Sequence, residues 1–259
     1  MSTTTTGRLA GKRTVITGAT GGMGRVACRM FCEAGARVIG SDLDEAAGRG
    51  LEEELRAAGH DFTFKAADVT SEAEVEALAG FVRQRWDGLD VLYNNAGIIL
   101  GKPLLGTTVE EWDRLHAVNT RSVFLAIRAF APLMGAGGSI VNISSGGGAR
   151  AMRNMSAYGS SKAGVILLTK VAALELAPDI RVNAILPGTI DTPMPRNFIS
   201  RVPAGGEREA AWQALGDGRP LKRVGLPEEV VPLAIFLASD EASFITGVDY
   251  FVDGGRAAA

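Results

Sequence analysis

Short apolar runs rich in β-branched residues alternate along this chain with longer segments whose apolar positions recur at helical spacing. RTVITG (13–18), ARVIGSD (36–42), FTFKAADV (62–69), LDVLYNNAG (89–97), SIVNISS (139–145) and IRVNAILPG (180–188) predict strands. Met23 to Ala34, Glu45 to Ala58, Ser71 to Arg85, Val109 to Met134 and Tyr158 to Ala177 predict the helices between them. Near the end, Pro227 to Ser239 predicts a helix with proline in its first turn, and Tyr250 to Val252 a last strand. Thr70 and Ser71 followed by Glu74 form a capping pattern, and Gly35 and Gly59 stand where helices are expected to stop. Such alternation predicts an α/β fold, a doubly wound parallel sheet of about seven strands with helices on both faces.

Two segments depart from the alternation. Residues 1–8 carry no periodicity and are expected to be disordered. Residues 193–220 are rich in Pro, Gly and Arg around a short helical piece, Glu207 to Leu215, and read as a substrate flap. The rest reads as one domain over 1–259.

Composition narrows the function classes. A chain of 259 residues with 46% hydrophobic and 22% charged positions has ample material for a core. A net charge of -2 supplies no basic field for nucleic acid or an anionic membrane, so neither partner is expected. The start of the chain lacks an apolar leader and no apolar run approaches bilayer length, which leads to the expectation of a cytoplasmic protein. Cys28 and Cys32 share the first helix as thiols of a buried stripe; with His60 and His116 isolated, no metal site is expected.

In an open parallel sheet, ligands bind beyond the carboxyl ends of the strands. Here those ends are Thr17-Gly18, Asp42, Asp68, Asn94-Asn95, Ser144-Ser145 and Pro187-Gly188, all polar or small. After the first strand comes VITGATGGMG, in which Gly18, Gly22 and Gly24 open a helix, the context in which backbone N–H groups face a phosphate. The spacing is not the commonest dinucleotide fingerprint, G-x-G-x-x-G. Asp42 stands where a carboxylate accepts from an adenosine ribose and repels a 2′-phosphate; neither the residues before Arg25 nor Leu43 offset that charge, so NAD is favoured over NADP. Tyr158 and Lys162, four apart on a predicted helix, share one face, and an ammonium near a phenol lowers the phenol's pKa toward general acid/base use. Ser145 ends a buried strand on the ligand edge, where its hydroxyl can hold a substrate oxygen.

Taken together, TGATGGMG, Asp42, NNAG (94–97), Asn119 in HAVNT, IVNISS, YGSSK and PGTIDTPM resemble, in order and spacing over almost the whole chain, the short-chain dehydrogenase/reductase family. The resemblance implies a Rossmann-like fold and a tetrad of Asn119, Ser145, Tyr158 and Lys162, with Ser145 rather than Ser144 chosen by its separation from Tyr158. It implies that Tyr158 exchanges a proton with the substrate oxygen, Ser145 holds that oxygen, Lys162 holds the nicotinamide ribose, and Asn119 positions a relay water. It further implies a cofactor path over the glycine loop (Gly18, Thr20, Gly21, Gly22, Met23, Gly24), Asp42 and Leu43, Asp68 and Val69 beside adenine, and Asn95, Ala96 and Gly97 behind the ribose. Pro187, Gly188, Ile190 and Thr192 would complete the nicotinamide pocket. FITGVDYFVDGG resembles the end of family members that form tetramers, so a homotetramer is expected.

The leading expectation is therefore NAD-dependent interconversion of a secondary alcohol and a ketone. Members of the resembled family that reduce carbon–carbon double bonds usually place more residues between the tyrosine and the lysine, so the resemblance implies that the separation of Tyr158 and Lys162 disfavours that reaction. Two alternatives stand beside it: a 3-oxoacyl-(acyl-carrier-protein) reductase, which the usual NADPH preference of such enzymes sets against Asp42, and a non-catalytic NAD-binding regulator, which the complete tetrad opposes. Substrate contacts are expected from GGGARAMRNMSAY and from Met194, Phe198, Ile199 and Trp212, whose bulk suits an apolar, cyclic substrate. Arg150 and Arg153 are candidate carboxylate contacts, with solvation the better reading for both.

Overall fold

The computed structural model describes residues 7–199 and 206–259. Its strands are β1 (Arg13–Thr17), β2 (Arg37–Asp42), β3 (Phe62–Ala66), β4 (Leu89–Asn94), β5 (Met134–Ile143), β6 (Ile180–Pro187) and β7 (Asp249–Val252). They form one parallel sheet of seven strands in the order β3-β2-β1-β4-β5-β6-β7, as the alternation predicts. The order reverses between β1 and β4, which opens a crevice beyond their carboxyl ends.

Helices α1 (Gly22–Glu33), α2 (Glu45–Ala57), α3 (Glu72–Trp86), α4 (Val109–His116), α5 (Ser122–Phe130), α6 (Gly146–Ala149), α7 (Ser156–Glu175), α8 (Pro193–Ile199), α9 (Gly206–Asp217) and α10 (Pro227–Ala238) surround the sheet. Apolar residues of the central strands alternate between two cores. Ile16, Val91, Tyr93 and Val141 pack with α1 and α10, while Val15, Leu92 and Ile140 pack with α3, α5 and α7. Cys28 and Cys32 are free thiols in the first core, and burial raises both pKa values, that of Cys32 to about 12. Ser71 caps α3 by accepting from Glu74 N at 3.4 Å, and Gly35 and Gly59 take left-handed φ of +94° and +87° after α1 and α2. Among the described residues no helix is long and apolar enough to cross a membrane.

Several expectations change. The single helix expected over 109–134 is broken by a π-turn, Ala117–Arg121, and ends in a short 3-10 turn containing Pro132. The π-turn holds Asn119, whose side chain is bound to the backbone of Ile98. The strand read as 139–145 begins at Met134 and ends at Ile143, leaving Ser144 and Ser145 beyond it. The flap carries two helices rather than one, α8 and α9, with 200–205 outside the described residues. Of the start expected to be disordered, residues 1–6 lie outside the described residues, whereas Arg8 pairs with Glu241 at 2.6 Å, tying the chain there to the 3-10 turn Asp240–Ala242 after α10.

Candidate active site

The glycines are spaced as this crevice requires. Gly18 turns the chain out of β1 at φ +67°, and a methyl group there would stand 2.8 Å from Ala96 Cα. At Gly24 a methyl would lie 1.9 Å from Gly18 O, so α1 can approach the turn only without a side chain. Gly22 faces the start of the flap, where a methyl would meet Pro193 Cδ at 2.7 Å. The end of β4 is stitched to the same turn: Thr17 Oγ1 accepts from Asn95 N and Ala96 N at 3.1 and 3.2 Å, and Asn95 Nδ2 donates to Thr17 O and Gly18 O at 3.1 Å each.

Helix α1 begins at Gly21–Gly22 with no side-chain cap and no acidic residue in its first turn, so its dipole and leading N–H groups suit an anion. Arg25, the nearest cation in sequence, pairs with Glu54 at 2.6 Å. Asp42 is held by three donors: Oδ2 accepts from Thr20 N at 2.9 Å and Thr20 Oγ1 at 2.7 Å, and Oδ1 accepts from Leu43 N at 2.7 Å. Asp68 Oδ1 accepts from Thr70 N and Oγ1 at 2.8 and 2.7 Å, shaping the turn beside it.

The other half of the crevice is built by β5 and α7. Tyr158, Ser161, Lys162, Val165, Thr169 and Ala172 recur at three- and four-residue spacing and form the buried stripe of α7. Ser144 Oγ donates to Lys162 O at 2.7 Å and so fastens the strand end to the helix, a packing role distinct from that of Ser145. Ser145 Oγ accepts from Gly147 N at 3.1 Å and stands near enough to the Tyr158 phenol to pull its pKa down. Lys162 Nζ donates to Ile143 O at 2.9 Å. Asn119 Oδ1 accepts from Ile98 N at 2.8 Å, while its Nδ2 donates to Ile98 O at 2.9 Å and Ser161 Oγ at 3.0 Å. A methyl at Gly97 would stand 3.2 Å from Lys162 Nζ and 3.3 Å from Asn119 Oδ1, so both groups crowd the same glycine.

One electrostatic expectation is corrected. Burial raises the Tyr158 phenol above its ordinary value, with Ser145 pulling the other way. Burial acts on the lysine too, lowering it to about 8, while its ammonium donates to the backbone.

These groups line one cavity of about 630 Å³. Every residue expected along the cofactor path lines it, from the glycine loop to Thr192, together with Ser145. Asn119 does not; it stands behind the wall as a brace between α4, α7 and the chain after β4. Met152, Met155, Met194 and Phe198 line the apolar end as expected, but Ile199 and Trp212 do not. Trp212 lies instead under the Arg196 guanidinium, 4.5 Å from its ring centre, and Arg196 pairs with Asp191. Neither Arg150 nor Arg153 lines the cavity: Arg150 donates to Arg256 O and Ala259 O, and Arg153 is exposed. Sequence reasoning missed Ile98, Ile99, Arg114 and Leu215 in the lining. The first two follow NNAG directly, and Arg114 lies one helical turn before Val118, which also faces the cavity; these are the signals that would have found them.

A family model described as enoyl-(acyl carrier protein) reductase matches residues 18–257. Cyclopentanol dehydrogenase of Comamonas is 40% identical over 97% of this chain and 99% of its own length. The 2,5-dichloro-2,5-cyclohexadiene-1,4-diol dehydrogenase of Sphingobium indicum is 38% identical over 96% of this chain and 97% of its own. The chain is a short-chain dehydrogenase/reductase. An actinorhodin polyketide ketoreductase variant solved with NADPH superposes with a TM-score of 0.90 and 31% identity over 96% of this chain and 98% of that one. Members of this family bind a nicotinamide dinucleotide, and the crevice fits one: it offers an uncapped helix start, glycines that no side chain could replace, and a clamped carboxylate at the far end.

Proposed function

We propose that this protein is an NAD-dependent dehydrogenase that interconverts an apolar, alicyclic secondary alcohol and its ketone, with Tyr158 as general acid/base. The observation that carries the reading is that Ser145, Tyr158 and Lys162 line one cavity with the glycine loop and with the apolar side chains of Met152, Met155, Met194 and Phe198. The glycine loop holds the pyrophosphate, Asp42 the adenosine ribose, Asp68 and Val69 flank the adenine, and Lys162 holds the second ribose beside Asn95, Ala96 and Gly97. Pro187, Gly188, Ile190 and Thr192 position the carboxamide. When bound, the nicotinamide accepts hydride from the alcohol carbon or returns it to the ketone.

Tyr158 takes the hydroxyl proton during oxidation and gives it back during reduction. Ser145 donates its hydroxyl hydrogen to the same oxygen, while Gly147 N occupies one of its lone pairs. The raised phenol keeps its proton at neutral pH, which suits it to donate to a ketone; in the oxidative direction it must first release that proton to act as base. In this reading Asn119 positions a water that passes a proton between Lys162 and solvent.

The preference for NAD rests on charge. A 2′-phosphate would meet the Asp42 carboxylate, Leu43 brings no cation, and Arg25 is engaged by Glu54. The two ring-alcohol relatives support a cyclic substrate, as does the apolar wall of Met152, Met155, Met194 and Phe198. We expect the enzyme to act as a homotetramer in the cytoplasm, by likeness to its family.

The test is a panel of cyclic alcohols, hydroxysteroids, sugars, 3-hydroxyacyl thioesters and the matching ketones, followed by NADH and NADPH absorbance. Turnover of cyclic alcohols with NAD is expected. Preferred turnover of 3-oxoacyl thioesters with NADPH would replace this reading with the carrier-protein reductase, and NAD binding without turnover of any member would replace it with the non-catalytic regulator.

A further inference from the structure

Three consecutive glycines follow Ser145, and packing explains only the last. A methyl at Gly148 would stand 2.7 to 2.9 Å from the backbone of Lys162 and Ala163, so that position admits no side chain. Gly146 has only Pro187 O within reach, at 3.7 Å. Gly147 would meet Met152 Cε at 2.7 Å, with Ser145 Oγ and the Tyr158 ring at ordinary contact, 3.5 Å each. Neither Gly146 nor Gly147 has the positive φ that favours glycine, and both lie in the short helix α6, where glycine costs about 1 kcal/mol relative to alanine. Backbone conformation therefore does not demand a glycine at 147, and the only close obstacle to a side chain there is the flexible tip of Met152.

That tip matters because Met152 also lines the main cavity. Without a Cβ at 147, Met152 Cε occupies the space that side chain would take, beside Ser145 Oγ and the Tyr158 ring. With a Cβ, Met152 has to swing away by about an ångström to regain ordinary contact. Its unbranched chain is half-exposed, so it can move rather than clash. We propose that Gly147 and Met152 together form a yielding wall that sizes the substrate's carbon skeleton at the reacting carbon, leaving room for the ring of an alicyclic alcohol. The inference rests on the dehydrogenase reading and adds to it which residues measure the ring.

The experiment compares wild type, Gly147→Ala, Met152→Ala and the double variant on 2-propanol, cyclopentanol, cyclohexanol and a bicyclic secondary alcohol, with NAD titration and thermal melting alongside. Alanine keeps the 147 N–H that Ser145 accepts, so the oxygen-holding pair stays in place. For Gly147→Ala we expect kcat/KM to fall about tenfold or more on cyclohexanol and the bicyclic alcohol, and less than about threefold on 2-propanol. Met152→Ala in the Gly147→Ala background should restore most of the loss on the rings, with NAD affinity unchanged throughout. An equal loss on all four alcohols, or a loss that Met152→Ala does not relieve, would overturn the wall while leaving the dehydrogenase reading intact. A wild type that turns over none of the alcohols with NAD would overturn both.

Discussion

The two ends of the cavity are held by different forces. At the adenosine end, positions are fixed by hydrogen bonds: Thr20 clamps Asp42, Asn95 and Thr17 stitch β4 to β1, and Thr70 fixes Asp68. At the substrate end, Met152, Met155, Met194 and Phe198 present apolar side chains to the cavity, with Phe198 seated where a methyl on Gly101 would stand 2.2 Å from its ring. Polar constellations demand particular residues at particular spacings, because a misplaced buried donor or acceptor is costly. An apolar wall of adaptable side chains tolerates many sequences for one shape. The cofactor end therefore states its ligand, while the substrate end states only a size and a polarity.

The comparison can be broken by changing groups at either end or at the junction. At the junction, Ser145→Ala removes the donor aimed at the substrate oxygen; kcat should fall about 10²- to 10³-fold with KM for NAD unchanged, measured by steady-state kinetics. Lys162→Met tests the electrostatic cost of the same region. The lysine's folded value of about 8 lies below its ordinary 10.5, so the folded state pays fully for the charge below pH 8 and loses that penalty as pH rises toward 10.5. The methionine variant should thus be more stable at pH 7 by up to about 3 kcal/mol, with the gain shrinking to nothing by about pH 10.5, as read from denaturant unfolding at several pH values. It should also lose activity, which separates the stability effect from function. At the adenosine end, Asp42→Asn removes the charge but keeps the shape; the ratio of kcat/KM for NAD over NADP should drop about tenfold, and an unchanged ratio would mean that Asp42 does not choose the cofactor.

What the sequence revealed follows the same division. Strand positions and the parallel sheet were legible because β-branched runs and glycines with positive φ each serve a local need, as Gly18 and Gly35 illustrate. The π-turn at Ala117–Arg121 was not, because nothing local distinguishes it from a helix; it exists because Asn119 is drawn to the backbone of Ile98, far along the chain. Trp212 misled for a related reason. Its bulk suits a pocket, but Arg196 on the neighbouring helix takes its ring face. The sense of the Tyr158 shift was also beyond the sequence: spacing put Lys162 on the same helical face, but burial, a property of the whole fold, raises the phenol and lowers the lysine.

The most direct measurement is Tyr158→Phe, assayed for NAD binding by fluorescence and for turnover of an alicyclic alcohol. Phenylalanine keeps the ring packing of a buried residue and removes only the hydroxyl. NAD should bind within about threefold of wild type while kcat falls at least about 10³-fold. Turnover near that of wild type, in a variant that still binds NAD, would contradict the central role given to this tyrosine.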